Sequence, residues 1–237
     1  LECERDDLNA ATQQLLKSKE LGELAGFPQN RYRWHVAMAR IREAQGDLHG
    51  ALDLLDEAEH LYMSDFSPNV HPIAVRKIRV WLAQGKLEEA LNWVRERGLS
   101  TQDDFSYLRE FEHITLVRIL LARYGSDHTD STILEAIRLL GRLLKAAQEG
   151  GRMGSVIEIQ ILLALAHHAQ DDMPAALNPL QQALTLAEPE GYVRMFLDEG
   201  SHMAQLLREA ANHGMMPAYT GKLLTAFEAQ GQGSASA

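Results

Sequence analysis

Gly46-Asp47-Leu48-His49-Gly50-Ala51-Leu52 decides how this chain folds, because the stretch returns. It recurs as Gly85-Lys86-Leu87-Glu88-Glu89-Ala90-Leu91 and, in degraded form, as Asp171-Asp172-Met173-Pro174-Ala175-Ala176-Leu177. Two more copies lack the glycine: Asp6-Asp7-Leu8-Asn9-Ala10-Ala11 and Thr132-Ile133-Leu134-Glu135-Ala136-Ile137. The marker alanines Ala11, Ala51, Ala90, Ala136 and Ala176 stand 40, 39, 46 and 40 residues apart. A period in this range signals stacked supersecondary units. Each unit reads as a helical hairpin. Gly46 and Gly85 stop a first helix, since glycine tolerates the left-handed residue that ends one. Asp47 and Asp172 are placed to cap the second helix, and Thr132-x-x-Glu135 has the form of a capping box.

Taking Gly46 as the turn glycine puts Ala39 and Ala51 where two helices cross closely, with Leu55 and Ala58 following on the second helix. Ala164, Ala176, Leu180 and Ala183 occupy the same places in the last full repeat, while Ile78 and Val117 fill the first small position in between. This is the pattern of tetratricopeptide (TPR) hairpins with longer connections. The fold class implied is all-α, a TPR-like superhelix of about 40-residue repeats closed by C-terminal capping helices. The repeats fill 1–190: the second helix of a first hairpin at 6–24, then hairpins at about 30–63, 71–97, 105–149 and 154–188. The 46-residue interval places a long loop at 124–130. Capping helices follow in 191–230, and the Gly- and Ser-rich 231–237 reads as a flexible tail. Pro179 falls inside a second helix and should remove one of its backbone hydrogen bonds.

Composition limits what such a chain does. A net charge of −10 disfavours direct binding to nucleic acid. No apolar run is long enough for a membrane span, and a single cysteine, Cys3, fits a reducing cytoplasm. No G-x-x-x-x-G-K-[ST] phosphate loop and no nucleophile–base constellation occurs, so the expectation is a binding domain, not an enzyme, without a cofactor. His167-His168 point about 100° apart on a helix and make no metal site. The opening Leu1-Glu2-Cys3-Glu4 lacks an initiator Met and reads as a piece of a longer protein.

Several further motifs resemble one family. They are Ala37-Met38-Ala39-Arg40 with Ala44-Gln45-Gly46-Asp47-Leu48, Tyr107-Leu108-Arg109-Glu110-Phe111-Glu112, and Gly151-Arg152-Met153-Gly154-Ser155. Ala187-Glu188-Pro189-Glu190-Gly191-Tyr192-Val193-Arg194-Met195-Phe196-Leu197-Asp198-Glu199-Gly200 and Leu223-Leu224-Thr225-Ala226-Phe227 complete the set. In this order they resemble the sensor region of the large, ATP-binding, LuxR-type transcriptional regulators, the MalT-like family. The resemblance implies an inducer-sensing domain of a cytoplasmic transcriptional activator, with its ATPase and DNA-binding partner domains outside this stretch. It also implies that the sensed signal differs among members, a malto-oligosaccharide being one.

In TPR hairpins the concave face is set by the first helices. That register aligns Arg40, Arg79 and Arg118 at spacings of 39 and 39, with Arg33, Glu158 and His168 at neighbouring concave positions. A guanidinium ladder suits carboxylate, phosphate or vicinal hydroxyl acceptors, so these six residues are the candidate site for a small polar effector. The competing reading of the same arginines is that they brace adjacent helices. The competing function is a protein–protein scaffold holding a peptide or an inhibitory partner. Trp81 falls at a packing position, and Tyr192 and Phe196, four apart, are placed to dock the end of the repeats.

Overall fold

The turn motif builds the same local structure in four of its five copies. The computed structural model of the chain describes residues 2–25, 29–62 and 69–234. Gly46 and Gly85 have φ of 81° and 76°, and the degraded copies put Asp6 and Asp171 in the same left-handed region, at 68° and 58°. At each turn the next amide reaches back five residues: Asp7 to Glu2, Asp47 to Arg42, Lys86 to Trp81 and Asp172 to His167. This closes the preceding helix in a Schellman turn. Where that next residue is aspartate, it also caps the following helix. Asp7, Asp47 and Asp172 each accept from the amide three residues on, at 2.9, 2.9 and 3.0 Å.

Twelve α-helices and two short 3-10 turns make up the described residues, with no strand among them. After a 3-10 turn, Cys3–Arg5, come α1 (Leu8–Ala25), α2 (Asn30–Ala44), α3 (Leu48–Leu61), α4 (Ile73–Ala83) and α5 (Leu87–Arg97). A second 3-10 turn, Tyr107–Arg109, leads into α6 (Glu110–Asp127), α7 (Asp130–Glu149), α8 (Met153–Ala169) and α9 (Met173–Ala187). α10 (Arg194–Leu197), α11 (Gly200–Asn212) and α12 (Pro217–Ser234) follow. The chain divides into two compact units, 1–122 and 123–237.

In the first unit, Ala39, Leu55, Ala58, Ile73 and Val80 join α2, α3 and α4 in one buried cluster. Ile78, Ala90 and Ile119 join α4, α5 and α6 in another, with Trp81 and Trp93 packed against it. In the second unit a larger core gathers Ile161 and Ala164 of α8, Ala176, Leu180 and Ala183 of α9, Phe196 of α10, Leu206 and Leu207 of α11, and Tyr219 and Leu223 of α12. Ala51, Ala90, Ala136 and Ala176 are wholly buried, as close helix crossings require. Phe196 is also fully buried and Tyr192 packs on the same core, so this segment closes the end of α8 and α9.

Three expectations are corrected. The insertion expected to form a loop at 124–130 is helical to Asp127, because the extra residues lengthen α6 and α7 and leave only His128 and Thr129 between them. Thr132 and Glu135 are not a capping box: α7 starts at Asp130, and Thr132 lies buried inside it. The expected tail is helical as far as Ser234, where α12 continues its register, and the rest of 231–237 lies outside the described residues. Pro179 leaves α9 running on to Ala187.

Candidate functional site

The three ladder arginines sit on α2, α4 and α6, the successive first helices of the first unit, and all three are half-buried. Arg40 and Arg79 each bond a residue displaced from their equivalents in the repeat. The Arg40 Nε donates to Glu4 Oε1 at 3.3 Å, across 36 residues. The Arg79 Nε donates to Thr115 Oγ1 at 2.9 Å, again across 36. Arg40 also acts electrostatically on Arg76, 36 residues further on. Adjacent first helices therefore meet at an offset three residues short of the 39-residue repeat, close to one helical turn.

That offset assembles a different group from the one the repeat suggests. The Arg79 guanidinium lies 3.9 Å from the centre of the Phe111 ring, and the Arg76 guanidinium 5.6 Å from it. His71 meets the same ring edge-on at 4.6 Å. Such cation–π contacts hold a guanidinium without neutralising it. Burial lowers the Arg76 pKa below the usual arginine value; Glu43 and Tyr32 oppose the shift and Arg40 reinforces it. Arg40 is also 3.9 Å from Glu43. The result is a basic cluster: Arg76 and Arg79 lie on Phe111, Thr115 is bonded to Arg79, and Arg40, with Glu4 and Glu43 beside it, acts on Arg76.

The other candidates lie elsewhere. Arg33 is exposed on α2 and Arg118 is half-buried on α6. Glu158 and His168 belong to α8 in the second unit, where the His168 Nε2 lies 3.2 Å from Gln205 Oε1 and its ring 5.9 Å from that of His202. Arg76 and Phe111 were missed by spacing arguments, which compare only equivalent positions. The available signal was Arg76-Lys77-Ile78-Arg79, two arginines one helical turn apart on a first helix.

A second polar cluster precedes α6. The Glu112 side chain is only 3% exposed and accepts from Arg97 at 2.8 Å and Arg109 at 3.0 Å. The wholly buried His113 has its ring nitrogens 2.9 Å from the Arg109 carbonyl oxygen and 3.3 Å from Asp103 Oδ2. Asp103 also accepts from the Ser100 amide at 3.2 Å. These contacts pin the 99–106 segment to α6; Glu112 is ion-paired, which leaves it no opening for acid–base work.

Comparison with known proteins agrees with the repeat architecture. Residues 1–213 match the family described as the MalT-like TPR region. The HTH-type transcriptional regulator MalT of Klebsiella pneumoniae subsp. pneumoniae is 26% identical over 196 residues, which is 80% of this chain and 20% of that protein. MalT of Cronobacter sakazakii shows the same identity and coverage. The chain thus spans about a fifth of the length of these curated relatives. No helix among the described residues is long and apolar enough to cross a membrane.

Proposed function

This chain belongs to the MalT-like TPR family, and we propose from that premise that it is the effector-sensing segment of a transcriptional regulator. The effector is small and polar and is taken up by the first helices α2, α4 and α6. One observation carries the reading: the guanidiniums of Arg76 and Arg79 gather on a single aromatic ring, with Arg40 of the preceding first helix close enough to act on Arg76. Bracing alone would favour one carboxylate for each arginine; here Arg76 and Arg79 share an aromatic face. The relatives' name, that of a transcriptional regulator, supports the regulatory role. An adjoining ATPase and a DNA-binding domain are the partners this reading supplies.

A thermal-shift screen with sugars, phosphorylated metabolites and organic acids tests it, since a ligand of the folded state raises Tm by mass action. Arg79→Ala should abolish the shift given by a hit. It should also lower the ligand-free Tm modestly, through loss of the Thr115 bond worth about 1 kcal/mol. A large fall in Tm with ligand binding intact would assign Arg79 to bracing. The alternative, a protein partner, finds its support at the turn before α6, where Tyr107 and Leu108 are 54% and 50% exposed.

A further inference from the structure

Arg76 differs from the other cations of this cluster. Arg40 has Glu4 and Glu43 beside it, and Arg79 has Thr115. Among the described residues the Arg76 side chain takes part in no hydrogen bond and no ion pair; its neighbours are the Phe111 ring and, electrostatically, Glu43, Tyr32 and Arg40. Its side chain is half-buried, yet its nitrogens are not among the sealed polar atoms, so the fork is recessed but reachable. A recessed guanidinium beside a second one is costly to keep, because burial and like charge both disfavour it. The deficit is one of negative charge, and it has a shape: a planar fork of donors suited to two oxygens of one acid group.

Resting on the effector reading above, we infer that the effector is an anion, whose carboxylate or phosphate is held by Arg76 with Arg79 and Arg40 on either side. A neutral sugar would satisfy some of the donors but would leave the charge uncompensated in a partly dry site, where charge pairing is stronger than in water. Phe111 serves as the wall against which Arg76 and Arg79 are held in place, so little side-chain freedom is lost when the acid group arrives.

The test is isothermal titration calorimetry on the 237-residue chain, with four probes: inorganic phosphate, glucose 6-phosphate, citrate and maltotriose. Binding of the phosphates or of citrate, but not of maltotriose, is the expected result, and which acid binds separates a phosphoryl ligand from a carboxylate. Arg76→Gln should weaken that binding by at least about tenfold, as loss of charge-assisted hydrogen bonds does. Its Tm should hold or rise, since it removes a half-buried cation that Glu43 only partly compensates. Arg208→Gln, exposed on α11, should change neither. Tight binding of maltotriose alone would overturn the anionic class while leaving the effector reading intact. Equal affinity of Arg76→Gln for the acid, or a fall in its Tm with unchanged affinity, would assign Arg76 to structure and overturn the inference. Silence from all four probes would remove the effector reading and this one together.

Discussion

Individual residues in this protein are positioned by charge as much as by apolar burial. Asp103 is the clearest case. Burial pushes its carboxyl up, but the Ser100 amide, the His113 ring and the Arg109 guanidinium together outweigh that and leave it below its usual 3.8. The sign for stability follows. The unfolded chain takes up the Asp103 proton at a higher pH than the folded one, so the contribution is complete above about pH 4 and is lost as pH falls through the depressed folded value. Asp103→Asn should therefore flatten the acid limb of a Tm-against-pH curve below about pH 4. Parallel curves for the two proteins would show that Asp103 contributes nothing through its charge. Of the two arginines on Glu112, Arg109 is a local i,i+3 partner, whereas Arg97 sits on α5 and only the fold brings it to α6.

At the scale of the element, one left-handed residue separates the two helices of each clean repeat. Glycine fills it at Gly46 and Gly85, whereas Asp6 and Asp171 occupy it at a steric cost that glycine does not bear. Asp171→Gly should raise stability by about 0.5–1 kcal/mol, less the entropy that a glycine adds to the unfolded chain. Urea denaturation of the variant measures it, and a loss would mean that the Asp171 side chain compensates locally. The helices themselves were readable because glycine stops, aspartate caps and wholly buried alanines are local signals. The 124–130 insertion was misread for a related reason. Gly, Ser, Asp, His and Thr have turn chemistry on average, but α6 runs on through exposed residues with Arg123 paired to Asp127 one turn later, so an already formed helix outranks single-residue propensity.

For the molecule as a whole, apolar burial is unevenly distributed. The cluster shared by α8, α9, α11 and α12 is the largest, with Phe196, Leu180 and Leu206 fully enclosed, whereas α1 exposes Leu16 and Leu21 at 49% and 65%. In a repeat protein, local stability follows the contacts each element makes with its immediate neighbours. Hydrogen exchange should accordingly show the amides of α8 and α9 as the most protected and those of α1 as the first to exchange. Uniform protection along the chain would contradict a stack whose stability is set locally.

The amino-acid sequence alone determined that this protein is all-α and built from hairpins of about 40 residues. Helix ends, caps and small crossing residues are decided within a few residues of chain, and their recurrence carries the rest. It also placed Arg40, Arg79 and Arg118 at equivalent positions of one face. Only the tertiary structure decided which of them meet. Adjacent first helices contact one another across 36 residues, not 39, so Arg40 faces Arg76 and Arg79 faces Thr115. That three-residue offset comes from how successive helices cross, a property of packing that no local pattern records.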